Sequence, residues 1–171
     1  MVQLRPALAA DAATLADLGA RSFTHKFGYL YRSEDLEAFL AQSHSEAKVA
    51  AEIADPRLRI MLAVEDARLL GFCKLVMDCG WPQHARGRSV IELKQLYTDP
   101  DLTGHGLGKA LMDWALEEAG AFGADEIQLS VWSENDGAQR FYTRYGFAKV
   151  ADIHFMVGEQ RDEEFLFTLM L

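Results

Sequence analysis

Apolar side chains recur at helical spacing through the N-terminal part of the chain. This pattern predicts a short strand and then three helices, over Val2 to Pro6, Asp11 to Gly28, Ser33 to Leu40 and Ser43 to Asp55. Asp11 is of a residue type that favours the N-cap position of the first helix. Ser43 and Glu46 have the spacing of a capping box, so they are predicted to start the third helix, which ends before Pro56.

Alternating apolar and polar positions then predict strands, interrupted by two further helices. The predicted strands are Leu58 to Val64, Leu69 to Met77, Ile91 to Tyr97, Ile127 to Val131, Lys149 to Val157 and Glu164 to Met170, and the helices are Leu107 to Phe122 and Asn135 to Tyr145. The first two strands are close enough in sequence to form an antiparallel hairpin. This order of elements predicts an α/β (α+β) protein with a mixed sheet and helices packed on it.

The strand that begins at Ile91 contains a break in its alternation. Ile91 and Leu93 are two positions apart, whereas the next apolar residue, Leu96, follows after three. A slip of one residue usually marks a β-bulge, and bulges are frequent beside active sites. We therefore predict a bulge between Lys94 and Leu96. A backbone N–H group freed there, near Leu96, is a candidate to hold a developing oxyanion, and an ordinary twisted strand is the alternative.

Length, composition and charge narrow the class of protein. The 171 residues predict one domain over residues 1–171, and a hydrophobic share of 50% is enough for a core. The formal net charge of −9 argues against nucleic acid as a partner, because phosphate contacts need a basic surface. The same charge is compatible with a cationic substrate.

The chain carries no pattern of a membrane or secreted protein. No apolar run reaches the roughly 18 to 20 residues of a membrane span, and Met1 to Pro6 leads into structure without a signal-peptide pattern. Cys73 and Cys79 are too close in an extended segment for a disulfide, which predicts free thiols in a reducing compartment. The expectation is a cytoplasmic protein without a membrane partner. The histidines are scattered without ligand spacing, so no metal site is expected.

The segment Thr103 to Lys109 contains three alternating glycines and connects a strand to a helix. Glycines let the backbone approach an anion, and the first N–H groups of a helix point toward it. A Walker P-loop is excluded because Thr103 and Ala110 stand where it needs a glycine and a hydroxyl. A dinucleotide fingerprint is excluded because Lys109 or Leu111 stands where it needs a third glycine. A pyrophosphate cradle without a metal-binding hydroxyl remains.

A second motif lies downstream of this segment. The pattern Asn-x-x-Ala-x-x-apolar-Tyr-x-x-x-Gly-Phe is met by Asn135, Ala138, Phe141, Tyr142, Gly146 and Phe147. Together with the glycine segment, this motif resembles the Gcn5-related N-acetyltransferase superfamily over nearly the whole chain. The superfamily's coenzyme loop is met by Gly106 and Gly108, while Thr103 replaces its usual Arg or Gln. Three features look like bacterial spermidine/spermine N-acetyltransferases: the run Glu92 to Tyr97, the aromatic turn Phe27 to Tyr31, and the ending Phe155-x-x-Gly158 with Glu164 near the terminus.

The resemblance implies a fold and a cofactor. The fold would be the acyl-CoA N-acyltransferase fold, with a mostly antiparallel sheet of six to seven strands and helices on both faces. The co-substrate would be acetyl-CoA, without a metal. Its pyrophosphate would contact Thr103, Gly104, His105, Gly106, Leu107, Gly108 and Lys109, and its pantetheine would contact Leu96, Tyr97, Thr98, Asn135 and Tyr142. His105 and Lys109 are equally compatible with solvent-facing positions.

The resemblance also implies roles in catalysis. Tyr142 would be the general acid for the departing thiolate, and the backbone at Leu96 would hold the oxyanion. Glu92, upstream of the bulge, is the best candidate for the base that deprotonates the amine, directly or through water. An exposed strand carboxylate is the alternative, and Lys94 beside it would lower its pKa.

The acceptor is expected to be a primary amine, most readily a polyamine or another small cationic amine, attacking directly in a ternary complex. Phe27, Tyr29 and Tyr31 are expected to line its site. Two alternatives stay open: a non-catalytic module that binds or senses acyl-CoA, and an acetyltransferase for a protein N-terminus, an amino acid or an antibiotic. A homodimer is compatible with either.

Overall fold

A computed structural model of the chain describes residues 1–102 and 104–171. Over these residues it contains the strands β1 Gln3–Pro6, β2 Leu58–Glu65, β3 Arg68–Val76, β4 Val90–Thr98, β5 Glu126–Trp132, β6 Ala148–Val157 and β7 Gln160–Met170. The α-helices are α1 Ala12–Phe27, α2 Ser33–Ser43, α3 Glu46–Ala54, α4 Leu107–Phe122 and α5 Asp136–Arg144. This order confirms the prediction from the sequence. None of the helices in the described ranges is long and apolar enough to cross a membrane.

The strands form a seven-stranded sheet in the order β1-β2-β3-β4-β5-β7-β6. Within the described residues, β4 and β5 pair in parallel and all other neighbouring strands pair antiparallel. The predicted hairpin of β2 and β3 closes through Asp66 and Ala67, whose φ angles of 49° and 64° suit a type I′ turn. The mixed, mostly antiparallel sheet confirms the predicted fold class.

Helices cover both faces of the sheet. On one face, α4 buries Leu111 and Met112 completely in a core that also contains Leu75 of β3. On the other face, α1 packs Leu18 in a second core with Phe72 of β3. Each fully buried side chain of this size contributes roughly 1.5–3 kcal/mol to the free energy of folding. The strand β3 therefore contributes side chains to both cores.

The start of α1 differs from the prediction in what Asp11 does. Asp11 precedes α1, but its side chain caps no N–H group of that helix. Its carboxylate accepts two hydrogen bonds of 2.8 Å from Arg5 and one of 2.7 Å from the N–H of Leu8. The carboxylate thus ties the end of β1 to the turn before the helix.

The predicted capping box of the third helix is wrong. Ser43 is the last residue of α2, and Ser45 is the N-cap of α3. The Ser45 hydroxyl accepts the N–H of Lys48 at 3.2 Å. Ser45 has the extended backbone of an N-cap, with φ −75° and ψ 154°, whereas Ser43 is still helical and cannot cap the next helix.

The strand β4 carries the predicted bulge and marks a fork in the sheet. In the register with β3, Lys94 is the extra residue between Leu93 and Gln95. On the other side, the parallel ladder with β5 ends at Glu92 and Gln128. Beyond this pair the two strands separate, so the second half of β4 has an edge free of β5. The fork between β4 and β5 positions the site.

Both cysteines are free thiols, as predicted. Cys73 is fully buried in the core beneath α4, and Cys79 is half-buried at the exit of β3. Burial raises the pKa of both thiols. Because the thiolate is the reactive form, neither thiol is poised as a nucleophile.

Candidate active site

A cleft of about 1120 Å³ opens at the fork between β4 and β5. The predicted site residues that line it are Phe27, Tyr31, Glu92, Leu96, Tyr97, Thr98, Gly104, His105, Gly106, Leu107, Gly108, Asn135 and Tyr142. Small-molecule pockets usually have roughly 300–1000 Å³, so this cleft has room for a cofactor arm together with a second substrate. Thr103, which replaces the usual Arg or Gln of the coenzyme loop, lies outside the described residues.

The glycine segment forms the entrance to α4. Gly104 and Gly106 have left-handed φ angles of 73° and 69°, and nothing lies within 4 Å of the position of a Cβ on either. Gly106 is the N-cap of α4, so the unpaired N–H groups of the first turn are available to an anion. Gly108 lies against the Phe141 ring, 3.6 Å from the position of its Cβ. These features fit a pyrophosphate.

The two charged or polar side chains of this segment differ in position. His105 is exposed and lines the cleft. Lys109 is not among the lining residues, because its ammonium pairs with Asp113 one turn along the exposed surface of α4. Such i,i+4 pairs hold a side chain along its own helix. In this structure the Lys109 ammonium is thus engaged by Asp113, and its contact with a phosphate stays a prediction.

The second half of β4 presents free backbone to the cleft. Leu96 lies toward α4, with a methyl group 3.9 Å from the position of a Cβ on Gly108. Tyr97 packs on the opposite face, against the core beneath α1. Because pairing with β5 ends at Glu92, the edge of β4 from Leu96 to Thr98 is unpaired toward β5 within the described residues. An extended ligand can add to such an edge as another strand does.

The helix α5 brings Asn135 and Tyr142 to the other wall of the cleft. Asn135 is the N-cap of α5, and its side-chain oxygen accepts the N–H of Ala138 at 3.1 Å. The Tyr142 ring packs edge-on against Phe141 and Phe147, with ring centres 5.4 and 5.8 Å apart. Burial raises the pKa of Tyr142, so its hydroxyl stays protonated at neutral pH, as a proton donor requires.

Glu92 lies at the point where the fork opens, and it lines the cleft. Burial raises the pKa of Glu92, and the charge of Lys94 offsets only part of this effect. Lys94 thus lowers the pKa of Glu92 as expected, but burial is the larger effect and the net shift of the pKa is upward. A carboxylate with a raised pKa is better matched to accepting a proton near neutral pH.

The aromatic turn after α1 contributes two of its three predicted residues. Phe27 lies edge-on to Trp132, with ring centres 5.8 Å apart, and Tyr31 stacks on Phe23 at 5.8 Å. Phe27 and Tyr31 line the cleft, but Tyr29 does not and is 74% exposed. Tyr29 is in the middle of a 3-10 turn, Gly28–Leu30, which turns its side chain outward. The expectation for Tyr29 is corrected accordingly.

Two acids of β7, which are not among the predicted site residues, also line the cleft. Asp162 accepts a hydrogen bond from the Tyr31 hydroxyl, and Asp162 is buried. Burial raises the pKa of Glu164, Asp162 raises it further, and a hydrogen bond from Ser130 lowers it. Alternation along β7 places Asp162 and Glu164 on one face. The predicted strand began only at Glu164, since the charged run before it is typical of a solvated loop.

A buried ion pair forms another part of the wall. Lys74 of β3 and Glu52 of α3 are joined at 2.8 Å, and their side chains are 5% and 10% exposed. Burial and the charge of Lys74 lower the pKa of the neighbouring His44 to about 4, so His44 is neutral at pH 7. Sequence reasoning could not find this pair because the partners are on separate elements. Besides Glu52, the acids that line the cleft are Glu92, Glu134, Asp162 and Glu164.

Comparisons with known proteins add a family and a fold. The sequence model of the acetyltransferase (GNAT) family matches residues 14–147. An uncharacterized N-acetyltransferase of Mycobacterium tuberculosis is 31% identical over 157 residues, which are 91% of this chain and 95% of the relative. The aminoalkylphosphonate N-acetyltransferase of Salmonella typhimurium is 33% identical over 98 residues, which are 57% of this chain and 62% of the relative. The crystal structure of PaiA N-acetyltransferase from Thermoplasma acidophilum, in complex with coenzyme A, has a TM-score of 0.81 at 22% identity, covering 100% of this chain and 99% of that one.

Proposed function

The chain belongs to the acetyltransferase (GNAT) family and is an acetyl-CoA-dependent N-acetyltransferase, and on that premise we propose that it acetylates a primary amine of a small cationic molecule. The observation that carries this proposal is the pair of acids, Asp162 and Glu164, in the same cleft as the glycine segment. A cationic amine is attracted to such acids in a partly enclosed site. The acetyl group would pass directly from the thioester to the amine in a ternary complex.

The backbone of two elements would hold the coenzyme. The open glycines at Gly104 and Gly106 and the first turn of α4 would bind its pyrophosphate. The pantetheine arm would lie along the free edge of β4 from Leu96 to Thr98. This arrangement leaves the thioester between β4 and Tyr142, where a backbone N–H near Leu96 would stabilise the oxyanion.

The amine must lose a proton to become a nucleophile. A lysine-like amine has a pKa near 10.4, so keeping it neutral at pH 7 costs about 4–5 kcal/mol without help. Glu92 would accept this proton, directly or through a water molecule. Its raised pKa, which burial causes, supports this role.

The departing sulfur needs a proton in turn. As the C–N bond forms and the C–S bond breaks, the Tyr142 hydroxyl would donate its proton to the thiolate. Two protons therefore move: one from the amine to Glu92 and one from Tyr142 to sulfur. Direct transfer, without an acetylated enzyme, is supported by the burial and raised pKa of Cys73 and the raised pKa of Cys79.

More specifically, we propose that the small cationic acceptor is a polyamine such as spermidine. Its reacting amine would lie near Glu92, and a second ammonium would pair with Asp162 or Glu164. The overall charge of −9 would attract such a polycation.

A second class of acceptor is favoured by a specific observation. Lys48, Lys74 and Lys94 also line the cleft and are close enough for their charges to repel. Such a cluster would hold the anionic group of an amine that also carries a phosphonate or carboxylate. A relative that is named for aminoalkylphosphonate acetylation makes this class a natural second arm of the test.

The test is an acceptor panel. Purified protein is incubated with acetyl-CoA and spermidine, an aminoalkylphosphonate, an amino acid, an aminoglycoside or an N-terminal peptide, while thiol release is followed. Release with spermidine above all others supports the polyamine, and release with the phosphonate above all others supports the second class. Tight coenzyme binding with no release from any amine would contradict acetylation and indicate a binding or sensing module instead.

Two further expectations belong to this proposal. We place the enzyme in the cytoplasm, where acetyl-CoA and reduced thiols are found together, and fractionation of the source cells would test this. A homodimer stays a prediction that sedimentation of the purified protein would test.

A further inference from the structure

The loop between β3 and β4 is fastened to β5 by two side chains of one strand face. Glu126 accepts the N–H groups of Arg86 and Gly87, each at 2.7 Å. Gln128, two residues on, accepts the N–H of Trp81 at 3.0 Å and donates to the carbonyl of Trp81 at 3.0 Å. Trp81 lines the cleft, whereas the two residues held by Glu126 do not.

Gln128 occupies the last paired position before the sheet forks. It is fully buried, and its partner in the ladder is Glu92. Residues directly opposite one another in a sheet project to the same face, so Gln128 and Glu92 lie side by side. Gln128 also accepts a hydrogen bond from the Cys79 thiol at 3.4 Å. A buried amide whose oxygen and nitrogen are both bonded fixes its partners firmly.

The segment from Cys79 to Trp81 passes directly over the Glu92 carboxyl. A Cβ on Gly80 would lie 2.9 Å from the Oε2 atom of Glu92, so the backbone of Gly80 is in close contact with that carboxyl. The segment thus removes Glu92 from water on one side, and burial is the main cause of its raised pKa.

We propose that Gln128 is a positioning residue: it holds the segment Cys79 to Trp81 against Glu92 and makes Trp81 a wall of the acceptor side of the cleft. The role rests on the proposed amine acetylation, in which Glu92 is the base. Without these bonds, water reaches the carboxyl and the acceptor loses the Trp81 wall. The coenzyme side, on the other half of the cleft, is unaffected.

The kcat/KM of the proposed reaction should depend on pH through the ionisation of Glu92. The groups whose charges bear on Glu92 are Lys94, on its own strand, and the Cys79 thiol, on the segment above it. Activity that needs ionised Glu92 rises with pH through the raised pKa. Hydration of the carboxyl brings that pKa down, so the acid limb of kcat/KM moves to lower pH.

Gln128→Met tests the role because it removes both bonds to Trp81 and preserves the side-chain volume. Three results are expected: faster hydrogen exchange at the Trp81 amide, a rise in amine KM on the order of tenfold for the lost hydrogen bonds, and an acid limb at lower pH. The KM for acetyl-CoA should stay within about twofold, since Gln128 touches no coenzyme residue. Unchanged exchange at Trp81 would overturn the proposal.

Asp125→Ala is the matched control for the same loop, because Asp125 directly precedes β5 and bonds to the far end of the loop. Asp125 accepts the N–H groups of Arg88 and Ser89, both at 3.0 Å, and none of the three residues lines the cleft. This variant should destabilise the protein without moving the amine KM or the pH profile. If it moves them as far as Gln128→Met does, the effect belongs to the whole loop and the proposal fails.

A second variant keeps the proposal testable if Gln128→Met does not fold. Trp81→Ala leaves Gln128 and its strand intact and should reproduce the rise in amine KM. An amine KM equal to that of the wild type would contradict the role of Trp81 as a wall. Failure of the wild type to acetylate any amine would defeat the proposed function alone, because the exchange of the Trp81 amide is measured without substrate.

Discussion

The two sides of the cleft are built from different parts of the chain. The side that we propose for the coenzyme consists of backbone: two glycines in the left-handed region, the first turn of α4 and the edge of β4 that is unpaired toward β5. The side that we propose for the acceptor consists of side chains from distant elements, with Tyr31 from the turn after α1, Glu92 from β4 and Glu164 from β7.

The two sides should respond differently to substitution of their side chains. Backbone N–H groups bind any pyrophosphate, and few side-chain substitutions can remove them. Side chains determine which amine fits, and each one can change without disturbing the sheet. Substitutions on the acceptor side should therefore alter amine KM, and substitutions on the coenzyme side should alter coenzyme affinity. Substitutions of the reacting groups between the two sides should alter kcat.

The largest effect is expected at the base. Glu92→Gln should lower kcat/KM for the amine about a hundredfold at neutral pH, because general-base catalysis typically contributes roughly 10²–10⁴-fold. In the wild type, kcat/KM should rise with pH through the raised pKa of Glu92, and the variant should lack this limb. The measurement is a pH–rate profile of both proteins. An identical limb in the variant would assign the deprotonation to another group.

The next effect concerns the proton donor. Tyr142→Phe should lower kcat at least tenfold and leave coenzyme affinity within about twofold, as expected for an interaction made in the transition state. Steady-state kinetics and calorimetry with coenzyme A measure the two quantities. Tyr145→Phe is the matched control, because Tyr145 directly follows the same helix but its hydroxyl bonds to Asp113 outside the cleft. An equal loss of coenzyme affinity would give Tyr142 a structural role.

A smaller effect is expected on the acceptor side. Glu164→Gln removes a charge from the site and should raise amine KM about five- to tenfold, which corresponds to roughly 1–1.4 kcal/mol, the range of one net hydrogen bond. The KM for acetyl-CoA should not change. Glu163→Gln provides the control on the exposed face of β7. If both variants behave alike, the acids do not select the acceptor, and the contrast between the two sides breaks down.

The smallest effect is expected on the coenzyme side. Gly106→Ala places a Cβ on a residue with φ of 69°, which is strained by roughly 1–2 kcal/mol although the surrounding space is open. Coenzyme affinity measured by calorimetry should fall about fivefold, and amine KM should stay constant. Gly120→Ala in the exposed part of α4 should leave both unchanged. A changed amine KM in Gly106→Ala would show that the two sides are coupled.

The same contrast explains what could be predicted from the sequence. The glycine spacing and the phase slip at Leu96 are local signals, so the helix entrance and the bulge at Lys94 were found. Alternation predicted the strands in their order along the chain, and the seven strands of the structure agree with it. The residues that we propose for the coenzyme side can therefore be recognised from short stretches of the sequence.

The acceptor side could not be predicted in the same way. Asp162 accepts a hydrogen bond from Tyr31, which is 131 positions away, and Gln128 bonds to Trp81 across 47 positions. Tyr29 was misplaced because spacing alone does not tell which way a short 3-10 turn points its side chains. Contacts of this kind follow from tertiary packing, which no spacing rule encodes.

A structure of the wild-type enzyme with coenzyme A and spermidine tests the central claim most directly. The expected result is a pyrophosphate on the N–H groups of residues 104–108 and a primary amine within hydrogen-bond or one-water reach of Glu92, with a second ammonium beside Glu164. A coenzyme seated as expected but an amine bound away from Glu92, Asp162 and Glu164 would contradict the claim that these acids form the acceptor site.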